Sequence, residues 1–229
     1  MVDDCLASVS DWVDEMVVVD DFSTDDTAQI CHAHGATVIR RHEYDLGAQK
    51  AFALSQAKGE WILHLDADER VSPDLKTQIL KAIQDKKFDG YKIRYLNHFL
   101  GHPVRHGGED YSMIRLFRRS KYHISSSPVH EHVTVAGAMG ELQGPMLHYS
   151  YRTIPQVLQK FTDYARREAK RKRAAEETVT LRKLFIDPPH LVWARYVESG
   201  GYKDGVFRLL LDIAFGYMEF MTYIFLLRK

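Results

Sequence analysis

Within the first 85 residues, short apolar runs alternate with helical segments, and two of those runs end in clustered acids. Met16-Val17-Val18-Val19 is a continuous, β-branched run closing on Asp20-Asp21, the pattern of a strand buried on both faces. Ser23 to Thr27 offers several caps for a helix reaching about Ala33; Gly35 stops it, and Ala36-Thr37-Val38-Ile39 reads as the next strand. Ala48 to Ala57 predicts a second helix, Trp61 to Leu65 a third strand, and Ser72-Pro73 the capped start of a helix to about Gln84. A short helix over residues 3–14 precedes them, from the spacing of Leu6, Val9 and Val13. Strands separated by helices at this spacing imply βαβ units and an α/β domain with a parallel sheet.

Beyond Phe88 the pattern changes. Tyr91-Lys92-Ile93-Arg94-Tyr95 alternates like a half-buried strand, and further short strands are expected at 115–118, 133–135 and 146–149. A Gly/His-rich loop from Gly101 to Gly108 lies among them. The expected organisation is an α/β domain over residues 1–150, divided into halves 1–86 and 87–150, with a helical extension over 151–229. That extension begins with one basic helix from Ile154 to about Lys183, broken by Asp187-Pro188-Pro189.

Thirty-one basic residues balance thirty-one acidic ones, which argues against a dedicated nucleic-acid binder. Cys5 and Cys31 are the only cysteines, without CxxC spacing, so neither a disulfide scaffold nor a cysteine zinc site is expected. The acid-rich first residues do not read as a secretory signal. The apolar stretch Val206 to Leu227 carries Arg208, Asp212 and Glu219, and so reads as buried or peripheral rather than spanning.

The acids at the strand ends carry the chemistry. In open α/β sheets ligands bind beyond the carboxyl ends of strands. An Asp-x-Asp pair such as Asp66-Ala67-Asp68 suits a diphosphate, whose charge a hard divalent cation neutralises while taking only one or two protein carboxylates. Period-two alternation at a strand end would turn Asp66 and Asp68 to one side.

At these residues the chain resembles family 2 glycosyltransferases of the GT-A fold, and among them the bacterial lipopolysaccharide-core β-glucosyltransferases. The resemblance rests on Val17-Val18-Val19-Asp20-Asp21-Phe22-Ser23-Thr24-Asp25-Asp26-Thr27, on Gln49-Lys50-Ala51-Phe52-Ala53-Leu54 and on Trp61-Ile62-Leu63-His64-Leu65-Asp66-Ala67-Asp68-Glu69. Arg115-Leu116-Phe117-Arg118-Arg119 and Val129-His130-Glu131 extend it. It implies a GT-A-like, mixed and mostly parallel sheet flanked by helices, with a helical C-terminal extension. It also implies an inverting transfer of a hexose, glucose by the nearest resemblance, from a UDP-sugar to a lipopolysaccharide-core or other cell-surface glycan.

By the same resemblance Asp21 would bond the uracil, with Asp20 and Ser23 beside it; Asp66 would contact the ribose, next to Ala67; Lys50 would face the phosphates or the sugar. Asp68, with Asp66 and with His148 completing the shell, would hold Mg²⁺ or Mn²⁺. Two departures stand out: the apolar strand ending in Asn-Glu with which family members begin has no counterpart, and Ala51 replaces a customary Asn.

An inverting transfer needs a base for the acceptor hydroxyl. Glu109, Asp110 and Glu131 are loop acids after the metal motif, and the resemblance implies Asp110 and Glu131, without ranking them. Ten Lys/Arg against four acids between Arg152 and Lys183, with an aromatic tail from Phe215 to Phe225, fit an anionic membrane surface. The expected location is cytoplasmic and peripheral, at the inner face of the plasma membrane. Two other readings share the donor half: transfer to a polyprenyl phosphate, and a truncated, non-catalytic nucleotide-sugar-binding protein.

Overall fold

The structure, a computed structural model, describes residues 1–43, 46–124 and 133–228. Its elements run α1 (Val2–Ala7), β1 (Val17–Asp20), α2 (Thr27–Ala33), β2 (Thr37–Arg40), α3 (Leu46–Gln56), β3 (Trp61–Leu63), β4 (Glu69–Val71) and α4 (Pro73–Ala82). β5 (Gly90–Phe99), β6 (His102–Val104), β7 (Ser112–Arg118), β8 (Tyr122–Ile124), β9 (Val133–Val135) and β10 (Met139–Tyr151) follow. The C-terminal part holds α5 (Ile154–Ala174), α6 (Leu181–Phe185), α7 (Asp187–Trp193), a π-helical turn Ala194–Glu198, a 3₁₀ turn Gly201–Asp204 and α8 (Phe207–Leu227). The chain divides into two compact units, Met1–Tyr95 with Ser112–His148 and Leu96–Tyr111 with Tyr149–Lys229. This division differs from one at residue 150, because Leu96–Tyr111 goes with the C-terminal segment.

In the first unit, β1 and β2 pair in parallel with Val17 opposite Thr37 and Asp20 opposite Arg40, as a βαβ unit requires. They form a two-stranded sheet of their own. β3 then turns to β7, antiparallel, with Trp61 opposite Arg118, in a sheet ordered β3-β7-β5-β10-β4. The parallel pairing lies in that two-stranded sheet, whereas in the larger sheet the pairings β3–β7, β5–β6, β5–β7 and β10–β4 are antiparallel. β1 and β3 both line a mainly apolar cavity of about 470 Å³, with Val18, Leu54, Ile62, Leu63, Ile79 and Leu116 in its wall.

Local chemistry accounts for the edges of these elements. Ser72 caps α4, its Oγ accepting from Leu75 N at 3.2 Å, with Pro73 in the first turn. β5 buries Tyr91, Ile93 and Tyr95 and exposes Lys92 and Arg94, as its alternation predicts. Its inward residues join Leu75, Ile79, Leu116 and Met146 in the main core. Gly144 admits α4 closely: a Cβ there would lie 2.7 Å from Leu75 Cα and N.

The second unit corrects one expectation. The basic helix does not run to Lys183; α5 ends at Ala174, and Glu176 takes a left-handed φ of 54°. The β-branched Thr178-Val179-Thr180 that follows is poor helix material. Thr180 instead caps α6, accepting from Lys183 N. Nor do Pro188 and Pro189 simply break a helix: they occupy the first turn of α7, where a missing N–H costs nothing. α5 buries Val157, Phe161, Ala165 and Ala169, a four-residue-spaced stripe, and Phe161 and Leu211 sit in one core.

The basic cluster on α5 is largely engaged within the protein. Arg166 pairs with Asp163, Arg171 with Glu168 and Lys172 with Glu177, while Arg173 donates to the carbonyls of Phe225 and Arg228. Phe215 packs on Phe161, and Phe225 lies under Arg166.

Candidate active site

Lys50, His64, Glu69 and Arg115 gather around Asp66 in the turn after β3. α3 buries Leu54 against Ile62 and Phe117, so Lys50, one turn earlier on that face, is carried to the end of β3. There the chain leaves extended backbone: Glu69 N donates to Asp66 O at 3.0 Å, and Asp66 N donates to Glu69 Oε2 at 3.0 Å. Asp66-Ala67-Asp68 is therefore a turn, and the expectation that strand alternation aims both acids alike does not hold. Asp66 faces Lys50 and Arg115, whereas Asp68 faces His148.

Asp66 has both oxygens engaged. Its Oδ1 is 2.9 Å from Lys50 Nζ, and its Oδ2 accepts from Arg115 Nη2 at 2.8 Å. Burial alone would raise its pKa, but the charges of Arg115 and Lys50 outweigh that and hold the carboxyl well below the usual range. Arg115, itself 4% exposed, also donates through Nη2 to Glu69 Oε1 at 2.6 Å and through Nε to Tyr95 Oη at 2.5 Å. Tyr95 Oη in turn donates to Glu69 Oε1 at 2.6 Å. Glu69 is 1% exposed; burial raises its pKa, the Arg115 charge opposes the rise, and the Asp66 charge adds to it.

His64 completes the cluster, its Nδ1 3.0 Å from Arg115 Nη1, which leaves that nitrogen as acceptor and the ring neutral. Burial and the Arg115 charge push its pKa down to about 3. A histidine that ionises more easily unfolded than folded contributes stability that is present above pH ~6.5 and drains as pH falls toward its folded value. We expect His64 to contribute a slope of up to about 1.4 kcal/mol per pH unit to the unfolding free energy in that window. Urea melts between pH 6.5 and 4 of wild type and His64→Asn check this; equal slopes would remove the contribution.

Asp68 lies 3.5 Å from His148 Nε2, through β10–β4 pairing that sets His148 opposite Glu69. The His148 ring meets Tyr95 edge-on, with centroids 5.6 Å apart. A carboxylate and an imidazole so placed fit a divalent cation as two protein donors, with phosphate and water left to complete the shell. Among the described residues no group of three such donors gathers, and Asp66 spends its charge on Lys50 and Arg115.

At the end of β1, Asp20 is 3% exposed and its Oδ1 accepts from Ser23 N at 3.1 Å, which shapes the turn leading to α2. Arg40 Nε lies 3.6 Å from its other oxygen. Asp21 is exposed and 2.7 Å from His42 Nδ1. Ala67 is exposed at the tip of the acid turn. Asp110 is exposed in the second unit, next to the buried Glu109. Glu131, like His130 and His132, lies outside the described residues.

Sequence reasoning assigned no role to His64, Glu69, Tyr95 or Arg115. Only the unusual placement of Arg115 within an apolar strand run, Ile114 to Phe117, signals that a buried charge must find partners.

Comparison with known proteins gives the chain its place. An uncharacterized glycosyltransferase of Rickettsia typhi is 31% identical over 176 residues, covering 71% of this chain and 60% of that protein. The lipopolysaccharide core biosynthesis glycosyltransferase LpsC of Rhizobium meliloti is 27% identical over 219 residues, 91% of this chain and 77% of the relative. Among solved structures, Staphylococcus aureus TarS 1–349 superposes with a TM-score of 0.49 at 14% identity, covering 97% of this chain and 86% of that one. The chain thus spans about 60% of the length of the Rickettsia relative. Residues 1–139, which include the acid turn, Lys50, Arg115 and both acid-ended strands, match the glycosyl transferase family 2 pattern. This chain belongs to glycosyl transferase family 2.

Proposed function

We propose that this chain carries out an inverting, metal-assisted transfer of a hexose, glucose first among the candidates, from a UDP-sugar to a lipopolysaccharide-core or other cell-surface glycan. The observation that carries the reading is the split acid turn, with Asp66 fixed by two cations and Asp68 facing His148. A turn of this kind offers one carboxylate rigid enough to position a ribose and a second, beside an imidazole, to receive Mg²⁺ or Mn²⁺. A cation held there would neutralise charge on the departing diphosphate. Asp21 and Ser23 would take the uracil end, on a turn that Asp20 shapes. Lys50 would reach the phosphates from its place beside Asp66. Asp110, with Glu131 as the other candidate, would accept the proton of the attacking hydroxyl.

The likeness to LpsC supports a lipopolysaccharide-core acceptor. Incubation with a panel of nucleotide sugars and Mn²⁺ tests the assignment, with core oligosaccharide and polyprenyl phosphate offered in parallel. Label passing from UDP-glucose to core oligosaccharide is the expected result. Label in the lipid phosphate would replace the acceptor, and UDP-sugar binding without turnover would make the chain a binding protein.

Attachment to an anionic membrane surface belongs to the same proposal, but its support lies in α6 and α7 rather than in the engaged basic helix. Leu181, Phe185, Ile186 and Trp193 are 77%, 62%, 58% and 57% exposed, an apolar and aromatic set suited to the lipid interface. α8 is long and apolar enough to cross a bilayer, yet its Arg208 and Asp212 are fully buried in an ion pair with each other. Co-flotation with anionic vesicles is expected for the wild type, and the double variant Phe185→Glu/Trp193→Glu should lose most of it. Equal flotation of the two proteins would exclude this face.

A further inference from the structure

Residues 105–111, which carry Asp110, form a loop whose hydrogen bonds run to the C-terminal segment of the same unit. At its start, Arg105 N and His106 N both donate to Asp204 Oδ2, at 2.9 and 2.8 Å, and His106 Nδ1 lies 2.8 Å from Asp204 Oδ1. In its middle, Gly107 N donates to Ser199 O at 3.1 Å, and Gly107 O accepts from Arg208 Nη2 at 3.0 Å. Gly107 has a φ of 67°, and a Cβ there would sit 2.4 Å from Arg208 Nη2, so only glycine lets the loop lie this close.

At its end, Glu109 accepts from Arg195 Nη2 at 2.5 Å and from Asn97 Nδ2 at 3.1 Å. Arg195 reaches Asp212 Oδ1 through Nε at 3.2 Å and stacks over Phe215 at 3.6 Å, so its fork bridges the loop to α8. Arg208 and Asp212 are both 0% exposed, and with Arg195 and Glu109 they make a cluster of two cations and two anions.

A loop carboxylate that acts on a substrate hydroxyl must be held in place, because exposed loops otherwise sample many conformations. Here the residues flanking Asp110 are anchored on both sides: Glu109 to Arg195, and Tyr111, whose Oη donates to Asn97 Oδ1 at 3.3 Å. We propose that Arg195 and Asp204 are positioning residues, which clamp the loop 105–111 at its two ends so that Asp110 is presented to the acceptor. The proposal rests on the reading of Asp110 as the base. The C-terminal segment is then a working part of the acceptor side rather than an appendage.

The test uses Arg195→Lys, which keeps the charge but loses the planar fork, and Asp204→Asn, which weakens the other end without touching the buried cluster. Two readouts are taken: hydrogen exchange across 105–111, and transfer from UDP-glucose to core oligosaccharide with Mn²⁺. Exchange in the loop should quicken about tenfold in each folded variant as local opening becomes easier. Transfer kcat should fall by up to about a hundredfold, the loss that a displacement of ~1 Å can cause, while the donor KM stays at the wild-type value. Unchanged exchange in both variants overturns the clamp. Faster exchange with wild-type kcat, or a donor KM that rises in step with the loss, overturns the positioning role. Asp110→Asn serves as the control: if it retains full transfer, the base assignment fails, and the exchange data still decide whether the clamp exists.

Discussion

Replacing Asp68 with alanine is expected to lower sugar transfer at least about a hundredfold, equivalent to ~2.7 kcal/mol of transition-state stabilisation. The reason is charge. In the proposed reaction negative charge would grow on phosphate oxygens as the bond from the anomeric carbon to the diphosphate lengthened, and a cation held at Asp68 and His148 would meet it. Asp68 sits in a turn with its side chain 21% exposed, outside the buried network around Arg115, so the variant should fold. Initial rates with UDP-glucose and increasing Mn²⁺ are the measurement. A wild-type rate would remove Asp68 from the chemistry, and full rescue at high Mn²⁺ would mark it as a contributor to metal affinity alone.

The second large effect is on stability. Arg115→Leu should lower the unfolding free energy by about 3–5 kcal/mol, the penalty for leaving buried charge without its partner. The guanidinium of Arg115 touches Asp66, Glu69, Tyr95 and His64, and Glu69 is 1% exposed. Without it, among the described residues Glu69 keeps Tyr95 and the Asp66 backbone N–H, and Asp66 keeps Lys50. Since a whole domain is stable by about 5–15 kcal/mol, this variant should approach the unfolding threshold. Urea titration measures it. Arg115→Leu combined with Glu69→Leu should recover part of the loss, because apolar groups of similar size replace both halves of a buried pair. A single-variant loss under about 1 kcal/mol would show that the guanidinium does not hold the cluster together.

These expectations drew differently on sequence and structure. The run from Val17 formed a strand that ends on Asp20, the first of its acids, and Ser72 capped α4 as its position before Pro73 implied. Such signals are local, carried by a few neighbouring residues, and so can be read along the chain. The span 154–183 misled because charge and helix propensity continue past Ala174, while the β-branched stretch 178–180 and the Thr180 cap were more local signals pointing the other way. The direction of Asp68 could not be read either. Alternation predicts side-chain direction only while backbone stays extended, and the hydrogen bond from Glu69 N to Asp66 O bends it.

By itself, then, the order of residues determined which acids stand at the ends of β1 and β3, which helices begin where, and membership of a glycosyltransferase family. Tertiary structure alone decided the partners: Arg115, 49 positions from Asp66, and Arg195, 86 positions from Glu109. The physical reason is that a buried charge chooses among whatever groups folding brings within hydrogen-bond reach. That choice depends on strand order and on the packing of α8, neither of which leaves a periodicity in the chain.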